Sequence, residues 1–278
     1  MNFTMAAPPN YVGVRTGDEY VWTPSLNAEN INATGVALFG QANWTLLYSM
    51  LSEYLFNETG ESFSSLAGAA LKVKFTNVSD EIDLGYPTPG TKASGIYYDM
   101  FVRYNASGSF EMVTNSSYNL ENNLPMGYLL DPSIINSSLW TFFFNYPFVT
   151  SKGLDYGNIA TWWQAMITAD PMLNTNMTVA EDGKGFKLTA KGEFLEYLLI
   201  MIMGPPPFPL GTLEDMEATV HWNDKGVLND GQLFYGGLEI ASFQLGGGII
   251  PGYELSIVIG ITGASVIGLI YVMKKKKF

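Results

Sequence analysis

The sequence predicts a mainly β fold, an antiparallel sandwich or half-barrel with one or two packed helices, followed by a single C-terminal transmembrane helix. Several stretches of the first 245 residues alternate apolar and polar side chains, as half-buried strands do. Glycine-containing turn dipeptides separate the later stretches. The chain then ends in a long uncharged segment followed by lysines, which is typical of a membrane span.

Four stretches show the strand pattern: residues 71–76, 95–104, 185–194 and 216–222. Because alternate side chains of a strand point to opposite faces, each stretch is expected to bury one face. The side chains expected to point inward are Leu71, Val73 and Phe75 in the first stretch, Phe186, Leu188, Ala190 and Phe194 in the third, and Met216, Ala218, Val220 and Trp222 in the fourth.

Turn signals predict how the later strands connect. The dipeptides are Asp182-Gly183, Lys225-Gly226, Asp230-Gly231 and Gly236-Gly237. Glycine and aspartate are common in tight turns because they tolerate unusual backbone angles. Residues 176–245 are therefore predicted to form a meander of antiparallel hairpins.

Two segments have the apolar spacing of helices. Residues 43–60 are expected to begin at Asn43, a good N-cap residue. Residues 157–171 are expected to begin at Asn158 and to stop at Asp170-Pro171. The second segment contains two adjacent tryptophans. We expect them to pack onto the sheet, and an exposed binding patch is the alternative.

The segment from Leu255 to Met273 has 19 residues and no charge. As a helix it would be roughly 28 Å long, close to the hydrocarbon thickness of a bilayer. The alternative, a core helix of a soluble protein, would be more amphipathic. Four lysines follow directly: Lys274, Lys275, Lys276 and Lys277. Basic residues beside a span stay in the cytoplasm, so the sequence predicts a single-pass cell-membrane protein with its C-terminus inside.

This topology divides the chain into four parts. Residues 1–245 form an extracellular β-rich domain, 246–254 a glycine-rich linker, 255–273 the transmembrane helix and 274–278 a basic cytoplasmic tail. The lipid bilayer is the first expected partner. Small residues recur at every fourth position of the span, namely Ser256, Gly260, Ala264 and Gly268. Such a spacing lets two helices approach closely and pair, although small residues are also common in spans generally.

Nine Asn-x-Ser/Thr motifs are the most informative feature of the predicted outer domain. Their acceptors are Asn2, Asn32, Asn43, Asn57, Asn77, Asn105, Asn115, Asn136 and Asn176. The chain has 20 Asn, and 39 of its 278 residues are Ser or Thr, so a random order would give about three motifs. The excess predicts a heavily N-glycosylated surface protein. The alternative is that these residue types cluster in turns.

The start of the sequence, MNFTMAAPPNYVGV, has neither the basic region nor the apolar region of a secretion signal. Since an exported domain needs such a signal, either the chain begins after signal cleavage or the sequence has been trimmed. The rival hypothesis is a tail-anchored protein with a cytosolic body. That topology would place four lysines outside, against the positive-inside rule.

Composition argues against several function classes. The net charge is −12, or −16 without the four tail lysines, and an acidic body repels nucleic acid phosphates. With no cysteine and a single histidine, His221, the chain cannot build a thiolate or multi-histidine metal site. It has no GxSxG elbow and no phosphate-binding glycine loop, so we predict no enzyme and no cofactor. His221 is interpreted as an outward-facing surface residue beside Glu217 and Thr219.

Three acidic groups are candidates for weak Ca²⁺ binding: Asp80, Glu81 and Asp83; Glu181 and Asp182; and Glu214, Asp215 and Glu217. Their spacing is not that of an EF-hand, and solvated turns are the simpler interpretation. The aromatic stretch LWTFFFNYPF at 139–148 could line an apolar pocket, or it could be core. The stretch MIMGPPPFPLG at 201–211 is interpreted as a buried strand that ends at a rigid proline loop.

The last 28 residues resemble the tripartite C-terminal sorting tails of archaeal surface proteins, in which a Pro-Gly-aromatic motif precedes a span and a basic cluster. The motif here is Pro251, Gly252 and Tyr253. The stretches GDEYVWT (17–23), LKVKFTNVSDE (71–81) and HWNDKGVLNDGQLFYGGLEIASFQL (221–245) resemble the outer domains of Asgard archaeal surface proteins with choice-of-anchor tails.

The resemblance implies an envelope protein. Its partners would be a membrane sorting peptidase that recognises the tail and other proteins of the envelope. The best-described tails have Pro-Gly-Phe, whereas Tyr253 and Glu254 stand here, so cleavage of the tail stays open. Taken with the motifs, the sequence predicts a membrane-anchored, N-glycosylated cell-surface protein with a structural or adhesive envelope role. The alternative function is a surface-anchored binding module with an apolar pocket for a lipid or small ligand.

Overall fold

The computed structural model describes residues 8–59, 68–85, 89–134, 148–171, 173–196 and 212–246. Within these ranges ten strands form one antiparallel sheet. In chain order they are β1 (Glu19–Leu26), β2 (Ala70–Asp83), β3 (Lys92–Arg103), β4 (Glu111–Thr114), β5 (Gly127–Leu130), β6 (Met177–Glu181), β7 (Gly185–Ala190), β8 (Met216–Trp222), β9 (Leu228–Tyr235) and β10 (Leu238–Leu245). The predicted mainly β class is confirmed. The described strands make one continuous sheet.

The order of strands across the sheet is β4-β3-β2-β1-β10-β9-β8-β7-β6, with β5 also pairing with β3. The predicted meander from 176 to 245 is confirmed as β6 to β10. A non-local pair joins this meander to the first strands, because β1 lies antiparallel to β10 with Trp22 opposite Leu245. The first and last strands of the described chain are thus neighbours in the middle of the sheet.

In the described part of the chain, the helical elements beside the sheet include α1 (Ala28–Thr59), α2 (Ser117–Glu121), a 3-10 turn (Pro132–Ile134) and α3 (Tyr156–Ala169). Residues 192–196 are also helical. α1 and α3 correspond to the two predicted helices, and α2 is a short turn without buried residues.

The predicted start of the first helix is wrong. α1 begins at Ala28 and is capped by Asn27, whose Oδ1 accepts the Asn30 N–H at 3.0 Å. A kink at Gly40 (φ 73°, ψ 156°) divides α1, so Asn43 lies inside its second segment and donates to the Phe39 carbonyl at 2.9 Å. The segment before the kink is stabilised by packing, because Trp44 stacks on Phe39 and donates to Asn32 Oδ1 at 2.8 Å.

The cap predicted for the second helix is also wrong by three residues. Asp155 caps α3, because its carboxylate accepts the Asn158 N–H at 2.8 Å, and Asn158 is inside the helix. The predicted stop at Asp170 is confirmed. Trp163 is buried against Phe186 of the sheet with ring centroids 4.7 Å apart, and Trp162 is partly buried against the same core. The tryptophan pair therefore packs onto the sheet, as predicted.

The alternating stretches predict burial in part: Phe186, Ala190 and Trp222 are buried, whereas Leu188, Met216, Ala218 and Val220 are only partly buried. Leu71, Val73 and Phe75 of β2 are essentially inaccessible to solvent. The stretch 185–194 is strand only as far as Ala190, and Phe194 reaches the interior from the helical residues 192–196 instead.

Three of the four predicted turns lie between strands, but Asp230-Gly231 does not. Gly231 is inside β9, opposite Val220 and Phe243. A Cβ at this position would lie 2.3 Å from the Phe243 ring, so glycine makes room here for an aromatic side chain crossing the strand. This glycine marks a close contact within the sheet.

The main core lies on one face of the sheet, beneath α3 and the N-terminal residues Tyr11, Val12 and Val14. Aromatic rings dominate it: Tyr156 of α3 stacks on Trp222, and Trp22 contacts Phe148 at 5.4 Å between centroids. A second cluster at the β9–β10 hairpin packs under the first segment of α1. One face of the sheet is thereby buried and the opposite face carries the polar side chains.

Candidate functional site

The only histidine lies on the polar face of the meander between two carboxylates. The sheet register places His221 of β8 directly opposite Asp230 of β9, and its Nδ1 lies 2.7 Å from Asp230 Oδ1. Its Nε2 lies 3.2 Å from Asp182 Oδ2, which is on the β6–β7 turn. Asn229 donates to the second oxygen of Asp230 at 2.5 Å. We call His221, Asp182 and Asp230 the histidine cluster.

Sequence reasoning placed His221 on the outward face but missed both partners. The residues first named beside it, Glu217 and Thr219, share its strand and its face. Asp230 lies on the other strand of the same hairpin and Asp182 on the β6–β7 turn, 9 and 39 positions away in the chain. In the sequence, the two aspartates are marked only by the glycine that follows each of them. The register of the folded strands is what places both carboxylates beside the His221 ring.

Burial is the largest influence on the pKa of His221 and lowers it, but the hydrogen bonds and charges of Asp230 and Asp182 together outweigh it, so the pKa is raised. Among the described residues, no group of three or more His, Cys, Asp or Glu side chains is arranged to hold a metal ion. Each ring nitrogen meets its own carboxylate, so the protonated imidazole links β8 to β9 and to the β6–β7 turn. We call this arrangement the charge clamp.

The charge clamp makes stability depend on pH. Because the folded-state pKa of His221 is raised, its contribution is complete below the unfolded-state value of about 6.5 and is lost as pH rises through the folded-state value. We expect the free energy of unfolding of the native chain, relative to a His221→Gln variant, to fall by up to about 1 kcal/mol from about pH 6 to about pH 9. Urea unfolding of both proteins across this range measures it. A pH-independent difference would contradict the clamp.

Three of the eight carboxylates considered for Ca²⁺ are paired with lysines. Glu81 lies 2.7 Å from Lys92, Glu217 lies 2.6 Å from Lys187, and Asp215 lies 2.5 Å from Lys191. Asp83 instead accepts the N–H of Gly85 at 2.8 Å within a turn. These carboxylates neutralise lysines and close turns on the sheet surface, where such pairs contribute little each.

Seven of the nine predicted glycan acceptors lie in the described residues, whereas Asn2 and Asn136 lie outside them. Three are on α1: Asn32, Asn43 and Asn57. In a helix, residues i and i+2 point in different directions, so an acceptor amide and its Ser/Thr hydroxyl do not face one another. At Asn32 the hydroxyl of Thr34 is also buried. The motifs at Asn32 and Asn43 thus present their two groups poorly in the folded chain.

Two other motifs lie in strands or at their ends. Asn77 is on β2, and the hydroxyl of its Ser79 accepts the Gly95 N–H at 2.7 Å inside the sheet. Asn176 precedes β6 and its carbonyl accepts the Lys191 N–H at 2.8 Å, while Thr178 is exposed on that strand. The Ser79 hydroxyl is therefore used in a hydrogen bond within the sheet, whereas Thr178 is exposed to solvent.

The remaining two motifs form tight turns at the surface. Asn105 Oδ1 accepts both the backbone N–H and the hydroxyl of Ser107, at 3.0 and 2.9 Å. Asn115 is exposed, and its Oδ1 accepts the N–H of Ser117 at 2.8 Å. The hydroxyl of Ser107 thus lies beside the Asn105 amide, and Ser107 and Ser117 are both exposed. These two motifs lie in surface turns, where a transfer enzyme has access to them.

Several predicted features lie outside the described residues. They are the motif Pro251-Gly252-Tyr253, the span 255–273 with its small residues, the lysines 274–277 and the stretch 201–211. Of the aromatic stretch 139–148 only Phe148 is described, packed against Trp22. The apolar pocket and the anchoring tail both remain predictions.

Among the described residues, no helix has the length and apolarity that crossing a bilayer requires. No known family model matches the sequence, and neither does any curated protein.

Proposed function

We propose that this chain is a membrane-anchored, N-glycosylated cell-surface protein with a structural or adhesive role in the envelope. The observation that carries the proposal is the excess of glycosylation motifs, two of which form exposed or partly exposed surface turns at Asn105 and Asn115. The described sheet pairs ten strands, and its surface carries lysine–carboxylate pairs such as Lys92–Glu81 and Lys187–Glu217, a framework suited to a structural role.

The anchor is the second part of the proposal. The uncharged segment 255–273 crosses the bilayer as one helix, the four lysines stay in the cytoplasm, and the sheet lies outside as a half-barrel. The partners would be the bilayer, neighbouring envelope proteins and a sorting peptidase acting near Pro251-Gly252. This arrangement matches the resemblance to Asgard archaeal surface proteins with sorting tails.

Protease treatment of intact cells, followed by mass spectrometry of released and retained peptides, tests the proposal. We expect peptides from residues 1–245 to be released, with glycan mass on the acceptor asparagines. The retained fraction would contain the span if the tail serves as the anchor, and would lack it if the chain is cut near Pro251. A body that is protected and unmodified until the cells are lysed would overturn the proposal in favour of a cytosolic, tail-anchored protein.

A further inference from the structure

One edge of the sheet exposes apolar side chains. β4 is the last strand on that side and pairs with β3 through Phe101–Met112 and two flanking pairs, and no described strand lies on its other side. Met112 and Val113 are each about half exposed, at 50% and 49%. Two more exposed apolar side chains follow in the next ten residues, Tyr118 at 70% and Leu124 at 58%.

The opposite edge is built differently. β6 is covered by α3, and the Val179 N–H, which an unpaired edge would leave open, donates to Gln164 Oε1 of that helix at 2.9 Å. Proteins protect sheet edges with charges, prolines, bulges or covering elements, because an open apolar edge pairs with another chain. The described residues give β4 a register shift beside Phe101 and a single charge, Glu111.

The two turn motifs lie at the two ends of this edge strand. Asn105 is in the connection between β3 and β4, and Asn115 follows Thr114, the last residue of β4. The strand between them has four residues and is about 13 Å long. A glycan of a few sugars at either end is long enough to lie along such a strand. No other acceptor in the described residues lies next to β4.

We propose that Asn105 and Asn115 carry N-glycans that cover the β4 edge and prevent two copies of the chain from pairing through it. This inference rests on the proposed function, since it requires the domain to meet a glycan-transfer system. The co-reactant is an oligosaccharide linked through phosphate to a polyisoprenoid lipid. Asparagine Nδ2 forms a bond to the anomeric carbon, the bond from that carbon to the phosphate oxygen breaks, the lipid phosphate leaves with the electron pair, and Nδ2 loses one proton.

The test compares full-length variants expressed in the native host. The double variant Ser107→Ala and Ser117→Ala removes the hydroxyl that each glycosylation motif requires. It keeps both acceptor asparagines and the backbone N–H groups that donate to them. Thr178→Ala is the matched control, because it removes an exposed hydroxyl from the motif at the opposite, helix-covered edge. Peptide mass spectrometry gives glycan occupancy, and sedimentation of the detergent-solubilised chain gives its mass.

We expect occupancy at Asn105 and Asn115 in the native chain. The double variant should lose both glycans and rise in apparent mass by about twofold or more, since pairing through an edge makes at least a dimer. The control should keep the native mass. Adding Val113→Lys to the double variant should restore the native mass, because a charge on an edge strand opposes pairing.

Different results overturn different statements. Glycans on other acceptors with Asn105 and Asn115 bare would overturn this inference and leave the proposed function standing. A chain without any glycan would overturn both. The double variant could also lack both glycans, unfold in urea at the native midpoint and keep the native mass. That result would overturn the inference, because the exposed β4 edge would then not pair without its glycans. Association that Val113→Lys does not reverse would place the contact elsewhere.

Discussion

Replacing Trp22 with alanine is expected to lower the free energy of unfolding by about 4 kcal/mol, the largest effect of any single side-chain truncation proposed here. Trp22 is 1% exposed and lies on β1, the strand that joins the two halves of the sheet. Its ring contacts Phe148 and Tyr20, with centroids 5.4 and 6.3 Å away. Its indole N–H donates to the Leu228 carbonyl at 2.7 Å, so truncation also leaves a buried acceptor without its donor.

The matched control is Trp22→Phe. Phenylalanine keeps an aromatic ring in the core and lacks the N–H, so the loss should be about half as large and should report mainly the hydrogen bond and the smaller ring. Urea unfolding of the three full-length proteins, followed by far-ultraviolet circular dichroism, measures the difference. Equal stability of the native chain and the alanine variant would show that β1 does not join the halves through this side chain.

Local patterns in the sequence predict β2 because burial from Leu71 to Phe75 alternates strictly. In β8 the predicted inward side chains are only partly buried before Trp222. Leu71, Val73 and Phe75 are buried against the core, while Lys72 and Lys74 between them lie on the more exposed face of the sheet. Alternation cannot show which strands are neighbours. The β1–β10 pair joins residues more than 200 positions apart, and no local pattern specifies the register that sets Trp22 opposite Leu245.

The first segment of α1 shows why the helix start was missed. Residues 28–39 contain Asn, Thr and Gly, which are poor helix formers in isolation. Packing decides the outcome here, because Ile31 and Leu38 contact the second core cluster and Asn30 donates to the Glu239 carbonyl at 2.8 Å. Tertiary contacts thus stabilise a helix that propensity does not favour.

The candidate sites divide in the same way. Each Asn-x-Ser/Thr motif is visible in the sequence, but the turn geometry that distinguishes Asn105 from Asn43 depends on the fold around it. β4 escaped prediction because four residues are too few for an alternating pattern. The histidine cluster likewise needed the register of three strands, since His221 and Asp182 are far apart in sequence.

Replacing Gly226 with alanine is expected to destabilise the fold by about 3 kcal/mol or more, because two separate costs coincide there. Its φ of 73° lies in the left-handed region, which costs an alanine about 1 kcal/mol. A Cβ would also lie 2.1 Å from the Thr150 carbonyl oxygen, so backbone must move. The contact is part of the junction between the β8–β9 turn and residues 148–151, in which Thr150 N–H donates to the Gly226 carbonyl at 2.7 Å.

Gly153→Ala separates the two costs. Gly153 has nearly the same φ, 76°, but nothing lies within 4 Å of the position a Cβ would take. We therefore expect this variant to lose only about 1 kcal/mol, the cost of the left-handed backbone. The difference between the two urea midpoints then measures the steric cost at the junction. If both variants lose the same free energy of unfolding, the backbone at the junction moves at no cost. Residues 148–151 would then not hold the β8–β9 turn against the core.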